Sequence, residues 1–384
     1  MNAPHEEFDA VIVGARCAGA ATAMLMARAG LRVLVVDRTH PSRDTLSTHA
    51  LMRAGVLQLS RWGVLQQVVA AGTPPVTATT FHYGDRTETL LLTEPLYAPR
   101  RTVLDTALLS AAREAGAQAR FGVDVTDLCR DRTGRVTGVL ARVRGGDAVT
   151  FRAPLTIGAD GLRSTVARLA GAPTVRRGAA ASALVYGYWP SPSASQYDWF
   201  YRPGVSAGII PTNDGQVCIW AGLPAERFAD ERGRSGLADL FSRVLAEAAP
   251  PAAALVARTE SIGTLRGFPG MPGYLRRATG PGWALVGDAG YFKDPLTAHG
   301  ISDALRDAEF LTRAVVDGGQ DALAEYERTR DRLSLPLLDV AESIAAYRWN
   351  LGEIRELLLA ESAAMKPEVA ALRALDTPVP AEAA

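Results

Sequence analysis

The sequence predicts an α/β fold in which a Rossmann-like nucleotide domain is interrupted by an inserted antiparallel sheet and closed by C-terminal helices. Three observations carry that reading. An apolar strand, a small-residue turn and an alanine-rich helix occupy residues 9–28. A second apolar strand, residues 283–286, runs into Gly287-Asp288 far downstream. Between them, residues 182–223 hold closely spaced strands with period-two alternation.

The turn Gly14-Ala15-Arg16-Cys17-Ala18-Gly19 joins the first strand to its helix. A helix starting there presents N–H groups without intrahelical partners, and its positive dipole end, to a phosphate. The next strand, residues 33–36, delivers Asp37, 23 residues after Gly14. A carboxylate at that place accepts hydrogen bonds from a ribose 2′-hydroxyl and repels a 2′-phosphate. The unit therefore suits an ADP moiety; the plain alternative is a buried βα unit without a ligand. Arg16 stands where the G-x-G-x-x-G form has the glycine that lets backbone approach a pyrophosphate. Its guanidinium either swings outward or adds charge near the phosphates. Cys17, at the helix start, is either a thiol of lowered pKa or a small side chain lining the loop.

A helical run follows over 51–70, then a break at Thr73-Pro74-Pro75. Strands are expected at 77–83 and 87–92 around Gly84-Asp85. Residues 101–115 read as an amphipathic helix with Val103, Leu104, Ala107, Leu108 and Ala111 on one face. Strands near 119–126, 136–143 and 149–153 surround two glycine turns. Residues 157–168 form a strand end, an Asp160-Gly161 turn and a helix start that Ser164 or Thr165 caps; alone, the string is equally a structural left-handed turn. Tyr186 and Tyr188 share one strand face, as do Tyr197, Trp199 and Tyr201. A helix over 235–248 and a short strand over 261–266 lead to 283–286, and everything after Gly300 reads as helix. Parallel strands need helical crossovers and hairpins do not. The division is accordingly 1–75, 96–180 and 268–345 for the nucleotide domain, 76–95 and 181–267 for the sheet domain, and 346–384 for a C-terminal helix with a tail frayed after about Lys366.

Charge is balanced, 41 basic against 41 acidic residues, which argues against nucleic acid or an anionic membrane as partner. Lys293 and Lys366 are the only lysines. Cys17, Cys129 and Cys218 are too scattered for a disulfide framework or a zinc site. No run approaches the roughly 18 apolar residues of a membrane span, and the acidic start of the chain is no signal peptide. The expectation is a cytoplasmic monomer or homodimer with no metal.

Taken together, Gly14–Gly19 with Asp37, the Asp-Gly segment 157–168, and Gly287-Asp288-Ala289 with Pro295 and Gly300 resemble the single-component flavoprotein monooxygenases of the p-hydroxybenzoate hydroxylase type. The resemblance runs from Asp9 to about Arg330. It implies a bound FAD, with its pyrophosphate on Gly14, Ala15, Arg16, Cys17, Ala18 and Gly19, its ribose at Asp37 and Arg38, and its ribityl chain on Asp288 beside Gly287. It further implies that Asp160 and Gly161 serve FAD and NAD(P)H together and that Arg101 lies near the flavin rather than on a solvated helix start. Ser47, Thr48, Val125, Pro295, Gly300 and Ile301 complete the implied cofactor set.

The implied chemistry is hydride transfer from NAD(P)H to FAD, capture of molecular oxygen as a flavin hydroperoxide and transfer of one oxygen atom to a small organic molecule. The helix near Ile301 suits negative charge on the reduced flavin. His299 is either a proton shuttle or a helix-start residue facing solvent; His49 lies in the segment that such enzymes fold over the flavin ring. Tyr186, Tyr188, Trp199 and Tyr201 either floor a flat, apolar substrate pocket or are ordinary sheet packing. The Phe292-Lys293-Asp294-Pro295 element also looks like halogenases and geranylgeranyl reductases, so a reductase of carbon–carbon double bonds is the alternative, with a non-catalytic flavin-binding protein behind it. The Trp-x-Trp-x-Ile-Pro string of halogenases has no match here, which disfavours that activity.

Overall fold

The computed structural model describes residues 5–40, 44–318 and 321–375. Its nucleotide-side sheet has six strands, ordered Thr279–Gly280, Trp283–Leu285, Leu155–Gly158, Ala10–Val13, Val33–Asp37 and Gln118–Phe121. All pairs but the first are parallel. Four of these strands shape the site: β1 (Ala10–Val13), β2 (Val33–Asp37), β3 (Leu155–Gly158) and β4 (Trp283–Leu285). Their unbroken Val, Ile and Leu runs are buried on both faces, as parallel strands covered on both sides require. Helix α1 (Cys17–Arg28) is buried from Cys17 through Ala27. Five alanines and a glycine make it thin enough to lie between the sheet and two further helices, α2 (Arg101–Glu114) and α4 (Gly300–Asp317). Between these in sequence, the short α3 (Thr165–Ala170) follows β3.

A second, seven-stranded sheet joins Val76–Tyr83 and Arg86–Leu96 to the strands between Ser182 and Phe268. It is antiparallel except where Gln196–Arg202 runs parallel to Val76–Tyr83. One face is aromatic and packs on Ala50, Leu296 and the C-terminal helices α5 (Ala322–Ala345) and α6 (Leu351–Arg373). The other, with Val185, Phe200 and Ile219, is covered by the helix Ala225–Ala248.

Several elements differ from the sequence expectation, each for a local reason. The helical run over 51–70 is two helices, Arg53–Arg61 and Leu65–Ala70, parted at Gly63 with φ +74°. The strand over 119–126 is split by Gly122, φ +71°, into Gln118–Phe121 and Val123–Arg130, which enter different sheets. The helix expected from 235 begins at Ala225 and kinks at Gly236. A further helix, Pro250–Arg258, was not foreseen, and the strand near 261–266 lies instead at Arg266–Phe268. The tail is not frayed from Lys366. Helix α6 runs on through Pro367 because Glu368 and Leu372 are buried on its inner face, and Arg61 donates to the Leu375 carbonyl at 3.2 Å. Pro378 and Pro380 lie outside the described residues.

The turn after β1 tests this arrangement. Gly14 has φ +106°, and a β-carbon there would overlap the Ala159 carbonyl oxygen. Gly161 has φ +75° but nothing within 4 Å of such an atom. Gly14→Ala is expected to cost about 3 kcal/mol or more in urea unfolding, from clash plus backbone strain. Gly161→Ala should cost only about 1 kcal/mol, from strain alone.

Candidate functional site

Parallel pairing sets Val13 beside Gly158 and Gly158 beside Leu285. The turns after β1, β3 and β4 therefore leave the sheet side by side at its carboxyl edge, the place where open parallel sheets bind ligands. Their contacts are close. A β-carbon at Gly19 would lie 3.1 Å from Ala159 Cβ, and one at Gly287 would lie 3.2 Å from both Ala18 and Ala304. One at Gly300 would lie 3.9 Å from Asp288 Oδ1, so the Gly287-Asp288 turn faces the start of α4. All three sequence motifs thus border one crevice.

The α1 end of that crevice is organised by Asp105, which sequence reasoning missed. Its carboxylate is fully buried and accepts from Arg16 Nη1 at 3.0 Å, the Cys17 N–H at 3.0 Å and Arg101 Nη2 at 2.9 Å. An acid lying one position from Leu104, inside an apolar helix face, was the available signal. Arg16 is therefore drawn toward α2, and Arg101 is buried rather than solvated. Burial pushes the Cys17 thiol up to about 11 despite the Arg101 guanidinium beside it, so Cys17 is a neutral lining residue. The N–H groups of Ala18 and Gly19 have no acceptor within the helix. Asp37 receives the Ala15 N–H at 2.9 Å and the Thr39 N–H at 2.8 Å. Arg38 is exposed, and Val125 packs with Val13 and Val36 under the strand ends.

Asp160 and Asp288 differ sharply. The Asp160 carboxylate accepts from Ser164 Oγ and from the N–H groups of Thr165 and Val166, with Ser164 the N-cap of α3. Three donors thus meet that carboxylate, as three meet Asp37, which also accepts from the Thr39 hydroxyl. The Asp288 carboxylate makes no hydrogen bond with any other described residue, and burial pushes it up to about 6.

The segment 44–50, between β2 and the helix Arg53–Arg61, lies against the aromatic sheet face. The Ser47 N–H donates to the Tyr186 hydroxyl at 3.0 Å, Ser47 Oγ accepts from the His49 N–H, and Thr48 lies between. His49 takes φ +71°, is buried, and places Nε2 on the Tyr188 hydroxyl; its Nδ1 has no partner among the described residues. Burial, with Arg100, Arg101 and Arg266, holds it well below the ordinary histidine range, so the ring is neutral. The Arg100 guanidinium sits 3.7 Å over the Tyr188 ring.

Of the other aromatic candidates, Trp199 donates to Thr79 and Tyr201 packs edge-on against Trp349, in the cluster that also holds Tyr186 and Tyr188. Tyr197 donates to the Tyr97 carbonyl. Tyr186 and Tyr188 remain beside the segment 44–50.

Opposite that segment, Asp294 caps the turn at Pro295 and also holds Ser182, and Ala298 is left-handed at φ +50°. Leu296 and Ala298 then meet Ala50 and Met52 in one cluster. His299, the N-cap of α4, does not face solvent: it is 1% exposed and bonded through Nε2 to Glu368 of α6. Gly300 and Ile301 begin the helix above it.

Residues 7–340 match the FAD binding domain family, and the chain belongs to it. It is 30% identical to the menaquinone reductase of Mycolicibacterium smegmatis, over 81% of this chain and 77% of that protein. It is 25% identical to a digeranylgeranylglycerophospholipid reductase of Methanocella arvoryzae, over 84% and 82%. Identity to the phenazine 1,6-dicarboxylic acid hydroxylase PhzS of Lysobacter antibioticus is 32%, over 42% of each. Among solved structures, a flavin-dependent brominase superposes with TM-score 0.80 at 19% identity, covering 96% of this chain and 93% of that one. PqsL of Pseudomonas aeruginosa, a probable FAD-dependent monooxygenase, superposes at 0.72 and 20% identity, covering 96% and 100%. The protein is an FAD-dependent oxidoreductase of the p-hydroxybenzoate hydroxylase-like flavoprotein group. No described helix is long and apolar enough to cross a membrane.

The crevice fits FAD on its own chemistry: uncapped helix N–H groups for a pyrophosphate and an unpartnered carboxylate for a polyol. The pKa of Asp288 gives a signed expectation. Being raised above the ordinary 3.8, it makes the folded apoprotein lose stability as pH rises from about 4 to about 6, with no recovery above. Asp288→Asn should therefore stabilise the apoprotein at pH 7.5 by about 1–2 kcal/mol, while weakening FAD retention roughly tenfold. Thermal melts with and without FAD read both effects.

Proposed function

We propose that this chain is an NAD(P)H-dependent monooxygenase acting on a small, flat aromatic or polyketide-like metabolite, with molecular oxygen as co-substrate. The observation that supports it most is the corner where Tyr186, Tyr188, His49 and Arg100 meet the two loops at the crevice. Aromatic rings edged by hydroxyls, an imidazole and a guanidinium suit a flat substrate carrying oxygen or nitrogen substituents.

Bound FAD supplies hydride acceptance and oxygen activation; the chain supplies position and electrostatics. Ala18 and Gly19 N–H groups would hold the pyrophosphate at the start of α1, Asp37 would hold the adenosine ribose, and Asp288 would hold the ribityl hydroxyls. The start of α4, from Gly300 to Ile301, offers partial positive charge to the electron-rich edge of the ring. The segments 44–50 and 295–299, closing on the aromatic sheet face, exclude water. Neutral His49 accepts a hydrogen bond at Nδ1 from a substrate hydroxyl and so orients it, its Nε2 held by Tyr188.

The second reading is a reductase that passes hydride to a carbon–carbon double bond without oxygen. It draws support from the two relatives of that type, whose similarity runs over most of the chain.

Mixing the oxidised protein anaerobically with NADH or NADPH should bleach the flavin band. With an aromatic substrate present, readmitted oxygen should be consumed in step with product. Slow oxygen use, together with saturation of a polyprenyl quinone under argon, would support the reductase instead. Tyr188→Phe should leave flavin content unchanged and lower kcat about tenfold or more; an unchanged kcat would remove this corner from the mechanism.

A further inference from the structure

Beneath the start of α4 lies a buried charged cluster that the proposed chemistry does not use. Glu368 of α6 accepts from His299 Nε2. Lys293 pairs with Asp303, and Arg306 binds Asp303 at 2.9 Å and Asp307 at 2.7 Å, with Glu368 Oε1 3.8 Å away. Asp307 also receives the Gly287 N–H at 3.0 Å, so the cluster is fastened to the turn that carries Asp288. All of these side chains are at most 4% exposed.

Three carboxylates (Asp303, Asp307, Glu368) face the Arg306 guanidinium and Lys293; Lys293, Glu361 and Asp288 titrate in or beside the same space, as does His299. Its Nε2 is on Glu368, whereas its Nδ1 is buried without a partner among the described residues. His299, Asp303 and Glu368 also bring donor atoms within 4.8 Å of one another. Lys293 and Arg306 already occupy those carboxylates as cations, so the cluster carries no metal assignment.

We propose that Glu368 is a positioning residue of the flavin site: it fixes His299 with Nε2 protonated, so that Nδ1 takes up one proton from solvent when bound FAD is reduced. The inference rests on the reading that places the flavin ring at the α4 start. While FAD is oxidised, the helix N-terminus and the two cations oppose charge on the imidazole. Burial is the largest influence holding His299 below its ordinary range, with Lys293 and Arg306 adding to it and Glu368 opposing. Negative charge arriving on the ring by two-electron reduction reverses that balance. One proton then neutralises the excess carboxylate, and Glu368 stabilises the imidazolium. Lys293, brought down to about 7 by burial, is the rival acceptor facing the same space.

The test is the pH dependence of the FAD midpoint potential, measured with dithionite and a reference dye on holoenzyme between pH 6 and 8.5. Each proton taken up changes the two-electron equilibrium tenfold per pH unit, about 30 mV. The wild type is expected to show one more proton than Glu368→Gln, which loses that increment. His299→Asn, with Glu368 intact, should lose it too, and serves if the first variant fails to fold. Glu356→Gln, an exposed acid of α6 paired with Arg355, should keep the wild-type slope. Equal slopes in wild type, Glu368→Gln and His299→Asn would overturn the proposal. If the wild-type apoprotein takes up no FAD, the underlying cofactor reading fails instead, a separable outcome.

Discussion

The structure depends on one steric constraint: three parallel strands must end side by side with almost no side chain at their turns. Gly14 against the Ala159 carbonyl and Gly19 against the Gly14 carbonyl leave no room for a β-carbon, and one at Gly287 would crowd Ala18 and Ala304. That contact lets α1 and α4 pack directly on each other behind the sheet, and it aims both helix starts at one crevice. Glycine costs backbone entropy in these turns, a cost offset by burying the alanine-rich faces.

Charge is distributed around that crevice unevenly, and the unevenness is informative. Asp105 and the cluster around Arg306 are buried but paired, so their desolvation is repaid by multiple hydrogen bonds. Asp288 is left without such partners and is pushed up to about 6. The proposed cofactor site gives that carboxylate its partner. Asp160, by contrast, is met by three donors at the start of α3.

Much of this was legible in the sequence because it is local. A strand, a glycine turn and a small-residue helix are short-range patterns, and the residues at the ends of β1, β2 and β4 could be named from spacing alone. What escaped was set at long range. Asp105 looked like one more polar helix residue until α2 was laid against α1. Glu368 sits in a segment whose proline suggested fraying, and its burial against His299, with that of Leu372, fastens the segment to the fold. Period two correctly put Tyr186, Tyr188, Trp199 and Tyr201 on one face, but it carries no information on which part of that face α6 covers. The splits at Gly63 and Gly122 likewise follow from left-handed backbone that the hydrophobic pattern does not reveal.

The central claim is that the crevice at the carboxyl edge of β1, β3 and β4 holds FAD. Titrating flavin-free protein with FAD, and following quenching of flavin fluorescence together with binding heat, tests it most directly. A saturable one-to-one complex, competed by ADP, is the result this account requires. Fluorescence that stays that of free flavin, with no heat beyond dilution, would contradict it.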